Sequence, residues 1–259
     1  MLGLDGFVAV YGATALAGAA VSMWAGGFTK GVVGFALPLI GLSAMASFLS
    51  FEVAVALLIL PTLVANTFQS LRNGLAAALG SLGKFWRLNF VLCLTIALAA
   101  QLVVVLPDEV LFGILGASIT AFGASQLAGW RPHLPAGHRG AIEVGVAVVA
   151  GFFGGISGIW GPPLVMYLLA AGIPKVEQVR VQSIGFLIGS LVLMGAHLQS
   201  GVLNAVTLPA SAWLIPPTMM GLLLGVRVQD RLDQEKFRRL TLAVLMLAGL
   251  NLLRRAFFG

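Results

Sequence analysis

Apolar runs fill most of this chain, and they stop at a small set of breakers: glycine, proline and short charged clusters. Read from breaker to breaker, the pattern predicts about ten helical segments. They fall at roughly 7–27, 32–49, 52–70, 86–106, 109–130, 141–157, 162–172, 177–198, 204–226 and 236–257. Most come near the ~20 apolar residues that cross a bilayer. Segments six and seven are too short for that at ~1.5 Å per residue. Between them runs GFFGGISGIWGPPLVM, with Gly154, Gly155, Gly158 and Gly161 followed by Pro162-Pro163. This pair suits a re-entrant hairpin that enters the membrane, turns at the glycines and leaves by the same side.

Composition then fixes the solvent. Of 259 residues 59% are hydrophobic and 9% charged, with a mean hydropathy of +1.02. Soluble domains carry about 25% charged residues. The alternating ~10-residue segments of a β-barrel are missing. The expected fold class is an all-α polytopic membrane protein with no soluble domain. MLGLDGF places an acid and no basic residue ahead of the first apolar run, which argues against a cleaved signal peptide. Cys93 is the single cysteine, so no internal disulfide is expected and it reads as a small packing residue. The net charge of +6 comes from residues lying between apolar runs. It reads as topology and not as a nucleic-acid surface.

Three glycine pairs share one spacing. Setting Gly31 on Gly158 also sets Gly34 on Gly161 and Gly74 on Gly201. The chain therefore reads as two homologous halves, 1–130 and 141–259, joined by RPHLPAGHRG at 131–140. Basic residues gather after segments three, five, seven and nine, and Asp108 and Glu109 follow segment four. The positive-inside rule puts the basic set in the cytoplasm, with Arg254 and Arg255 as the exception. Five segments per half is an odd number, so the halves are expected to form inverted-topology repeats, as in many secondary transporters.

Broken helices at membrane depth line cavities or lie buried in protein. Inversion would bring the breaks near Lys30-Gly31 and Ser157-Gly158 together at the midplane. Helices resuming at Val32 and Pro162 would then aim their N-termini into one pocket, an arrangement that favours an anion. Lys30 is the only charge between Asp5 and Glu52, and intramembrane charges are usually functional. The candidate substrate-binding set is Thr29, Lys30, Gly31, Gly34, Ser157, Gly158, Trp160, Gly161, Arg180 and Ser183. Thr29 and Ser157 would offer hydroxyls, Trp160 would wall or gate the pocket, and Arg180 with Ser183 would share a face of segment eight. Asn66, Gln69, His197 and Gln199 are weaker candidates. All nine acids sit at segment ends or in loops, so no carboxylate cluster is placed to bind a metal or Na⁺ mid-membrane. No P-loop, HExxH pair or GxSxG is present. No catalytic residue, metal or cofactor is expected, and the chain does not read as an enzyme.

The paired breaks AGGFTKGVVGFALPLIGL (25–42) and AGFFGGISGIWGPPLVMYLLAAGIPK (150–175) resemble those of the sulfite exporter TauE/SafE family. Each is followed by an apolar span ending in a short polar stretch and glycine, QSLRNG and LQSG. The resemblance implies a transporter of sulfite, sulfoacetate or other organosulfonates in the bacterial inner membrane. Combined with the pocket, it leads to an alternating-access secondary transporter for a small sulfur-containing anion. An anion channel and a non-transporting scaffold subunit are the alternatives. Expected partners are the anionic substrate, membrane lipid, a coupling proton or ion where uptake is required, and a second copy in a homodimer; nucleic acid is not expected.

Overall fold

The computed structural model describes residues 4–71, 74–129, 139–171, 175–229, 246–247 and 249–258. All the regular structure among them is helical. The first half contains α1 (Leu4–Tyr11), α2 (Ala13–Val33), α3 (Leu37–Met45), α4 (Phe51–Leu71), α5 (Leu75–Lys84), α6 (Trp86–Ala99, continued by a 3-10 turn Ala100–Val104) and α7 (Asp108–Leu127). The second contains α8 (Arg139–Ser157), α9 (Gly161–Ala170), α10 (Lys175–Gln199), α11 (Thr207–Trp213) and α12 (Ile215–Gln229), followed by helix at 249–258. Phe51–Leu71, Trp86–Val104, Gly140–Ser157 and Thr207–Val228 are long and apolar enough to cross a bilayer. α1 and α2 make a fifth span if their 107° bend is counted within one. Phe90, Leu94 and Leu98, four apart on α6, stand more than half exposed, as a face covered by lipid should. The chain is a multi-pass membrane protein.

Several predicted segments divide further. The first is bent at Gly12, whose φ of 85° is open to glycine without strain, and its helix then runs on to Val33. A short helix, α5, precedes segment four. Segment nine splits at Leu214, ahead of Pro216-Pro217, into α11 and α12. Of segment ten, residues 236–245 and 248 lie outside the described residues.

Two glycine-lined contacts bring helices from opposite ends of the sequence together. A Cβ on Gly27 would stand 2.1 Å from the Thr218 carbonyl oxygen, and one on Gly31 2.2 Å from that of Leu222. From the other side, Gly221 and Gly225 abut the carbonyls of Trp24 and Phe28. α2 and α12 thus meet backbone to backbone through two small-xxx-small faces. Gly151 and Gly155 of α8 press in the same way on the carbonyls of Leu92 and Ile96 in α6. In each case an early helix of one half of the chain lies backbone to backbone against a later helix of the other half.

The buried side chains fall into two cores. The larger joins α1–α4, α7, α11 and α12, and takes in Ala99 and Val103 at the end of α6 and Ile156 at the end of α8. The smaller joins α6, α8, α9 and α10. Phe35, in the break after α2, packs against both.

The two ends of the bundle differ. At one, the Glu143 carboxylate accepts a hydrogen bond from the Leu88 amide in the first turn of α6 (3.2 Å). At the other, Asp108 accepts one from the Phe51 amide that opens α4 (3.1 Å). Each acid meets the positive end of a helix. Arg255 shares the Asp108 end, donating to the Leu49 carbonyl with its guanidinium 5.5 Å from the Phe112 ring.

Candidate anion-binding site

Both helix breaks have one form. α2 ends on Gly34 (φ 91°), whose amide donates to the Lys30 carbonyl at 2.7 Å. α8 ends on Gly158 (φ 72°), whose amide donates to the Gly154 carbonyl at 2.7 Å. These are left-handed caps that only glycine adopts freely. The offset that carries Gly34 to Gly158 also carries Phe35 to Ile159, Pro38 to Pro162 and Asn66 to Ser190. It is shorter than the spacing that pairs Gly31 with Gly158. The expected break at Lys30-Gly31 is accordingly displaced: helix continues through that pair and stops at Gly34, because Gly31 is needed for the contact with α12.

Displacing the break leaves Lys30 in the last turn of α2, only 2% exposed. Its Nζ donates to Asn66 Oδ1 at 2.7 Å, approaches the Gly34 carbonyl at 3.5 Å and lies 5.5 Å from the Phe186 ring centroid. No carboxylate among the described residues pairs with it. Asn66, 1% exposed, sends its amide protons to the Phe186 carbonyl (3.0 Å) and Ser190 Oγ (2.6 Å) of α10. An ammonium has only protons to offer, so it fixes the amide orientation, with Oδ1 toward Lys30. Gln69, one turn on, donates to the Gly34 carbonyl at 2.9 Å and steadies the break itself.

Beside this network lies a cavity lined by Lys30, Thr62 and Asn66, by the start of α3 at Ala36 and Pro38, by Gly158–Gly161 at the start of α9, and by Phe35, Leu39 and Phe186. Its walls leave about 20 Å³ for the centre of a water-sized sphere. That holds a water or two, so a tetrahedral anion needs the walls to part. The N-terminal ends of α3 and α9 and one ammonium line this space. The helix ends carry partial positive charge and the ammonium a full one, so together they favour negative charge.

The expected residues separate into groups. Lys30, Gly158, Trp160 and Gly161 line the cavity. Gly34 shapes it through its cap and its carbonyl. Ser157 sits behind it, donating to the Phe153 carbonyl (2.6 Å) and accepting from the Ile159 amide (3.2 Å), so it fastens the second break. Thr29 turns its hydroxyl back to the Ala25 carbonyl, and Gly31 faces α12; neither lines the cavity. Arg180 and Ser183 belong to α10, and their side chains lie outside the described residues. His197 is buried further along α10 and is not part of the lining. Sequence reasoning overlooked Thr62, Phe35, Pro38 and Phe186. The shared Gly-x-x-x-Pro of GFALP (34–38) and GIWGP (158–162) was the signal that registers the two breaks.

Residues 17–252 match the family model described as "Sulfite exporter TauE/SafE". No curated protein and no solved structure matches the chain.

Proposed function

Because the chain belongs to the sulfite exporter TauE/SafE family of membrane transporters, we propose that it carries a small sulfur-containing anion, such as sulfite or an organosulfonate, across the bacterial inner membrane by alternating access. One observation carries this reading: a buried lysine, held by a neutral amide at the meeting point of two helix N-termini, has no carboxylate partner among the described residues. Burying an unpaired charge is costly. An anion in the cavity removes that cost, and the same anion meets the positive ends of the α3 and α9 helix dipoles.

The two cores support a particular pair of moving bodies. The inverted repeats, 1–130 and 141–259, are interlocked by the α2–α12 and α6–α8 contacts, so neither half moves alone. The bodies in this proposal are crosswise: one built on the larger core with α2 and α12, the other on the smaller core with α6, α8 and α9. Lys30 and Thr62 stand on the first, Trp160 and Phe186 on the second, and the anion is held between them. Phe35, packed on both cores, separates as they part and acts as the gate.

The test is counterflow in vesicles reconstituted with purified protein. Wild type should show saturable exchange of labelled sulfite against trapped sulfite or methanesulfonate. Lys30→Met should lower the rate at least about 100-fold, since it removes the only cation among the described residues of the cavity lining. Unsaturable flux without exchange would identify a channel, and undiminished exchange in Lys30→Met would end the present reading.

A further inference from the structure

Many hydroxyls in these helices turn back onto their own backbone, although Ser211 bonds across to α4 and the buried Thr120 Oγ1 has no partner. Ser22 donates to the Gly18 carbonyl, Thr67 to Leu63, Thr95 to Val91 and Thr218 to Leu214, each four residues earlier. A serine or threonine with no water in reach behaves this way. Thr62 does not. Its side chain is 3% exposed, its Oγ1 has no hydrogen-bond partner, and it lines the cavity one helical turn from Asn66, on the same face of α4.

The neighbouring backbone makes no demand on it. Pro61 lacks an N–H, which leaves the Leu57 carbonyl without its helical donor. Ser211 of α11 makes the repair from outside, donating to that carbonyl at 3.1 Å and accepting from the Leu60 amide at 3.2 Å. Thr62 is left as a buried donor without a partner in the wall that Lys30 also lines. The other polar groups at that wall are already engaged. Asn66 uses both amide protons on α10, and its free lone pair would repel an anion. Asn66 is therefore a positioning residue for Lys30.

We propose that Thr62 is a substrate ligand: its hydroxyl donates to the anion that Lys30 Nζ holds, so the site recognises an acceptor-only oxyanion through two of its oxygens. The proposal rests on the transport reading of the cavity given above. It predicts that Thr62 contributes to affinity and not to the fold.

The test is ligand-dependent thermal stabilisation of the purified full-length protein with methanesulfonate and with sulfite, in wild type, Thr62→Val, Thr62→Ser and Lys30→Met. Valine keeps the shape and removes the hydroxyl. Thr62→Val should melt at the same or a higher temperature without ligand, and its affinity for both anions should fall about tenfold or more, as expected for one lost hydrogen bond to a charged group. Thr62→Ser should restore binding. If Thr62→Val binds as tightly as wild type while Lys30→Met does not bind, Thr62 is no ligand and the transport site stands. If Thr62→Val loses its fold, the hydroxyl has a structural role and the proposal is overturned. If wild type binds neither anion, this proposal and the transport reading fall together.

Discussion

Asn66 gives Lys30 a hydrogen bond without giving it a counterion. A carboxylate at the same point would satisfy the ammonium outright and leave little for a ligand to neutralise. Asn66→Asp gives up the two donations to α10 and sets an ion pair with Lys30 in their place; it should lose sulfite affinity by about tenfold or more. A variant that still responds to sulfite like wild type would show that the charge of Lys30 is not what the anion meets. Lys30 itself was legible in the sequence, because a solitary cation in some forty apolar positions has few ordinary uses. Thr62 was not. A lone threonine in an apolar helix reads as a hydroxyl bonded to its own backbone, which is what Thr67 on the same helix does. Only the geometry separates the two.

At the scale of elements, glycine has two separate roles here. Gly34 and Gly158 stop helices, whereas Gly27, Gly31, Gly221 and Gly225 let two helices touch. The roles predict different costs. Gly31→Ala puts a methyl 2.2 Å from the Leu222 carbonyl oxygen, so α12 must withdraw; a loss of about 3 kcal/mol is expected in unfolding measurements, the upper end for overpacking. Gly80, in α5, has nothing within 4 Å of such a methyl. Gly80→Ala should stabilise by about 0.5–1 kcal/mol through backbone entropy alone. Equal effects at the two positions would contradict the close α2–α12 contact. α4, α7 and α10 were legible from their breakers, and α4 was read to within a residue at each end, whereas α2 runs past its expected end to Val33. The short ones were not: α1, α5 and α11 adjoin longer apolar stretches, and the turns that detach them rest on Gly12 and Gly74 or on the Phe85 and Leu214 backbones. Nothing in hydropathy marks such a turn. Gly31 misled the register because a packing glycine and a breaking glycine look alike in sequence.

For the whole molecule, the partition into two crosswise bodies makes a mechanical prediction. A covalent bridge between α2 and α12, engineered as a cysteine pair after replacing Cys93, ties helices of one body and should leave counterflow intact. A bridge between α4 and α10, whose Asn66–Ser190 contact spans the bodies, should stop it and recover on reduction. Transport blocked by the first bridge and tolerated by the second would assign the bodies wrongly. The all-helical polytopic class was legible from composition alone. The crosswise locking was not, since it depends on which distant helices share a bare backbone face.

That locking also bears on how the protein is made. α2 is synthesised near the beginning of the chain and its partner α12 near the end. At ribosomal rates of about 5–20 residues per second, α2 waits roughly 10–40 s in the membrane with its glycine face uncovered. A chain truncated before α12 offers that face no lasting cover, so the first half by itself is a substrate for proteolytic quality control. The two halves translated as separate polypeptides carry matching faces, and each is the natural assembly partner of the other.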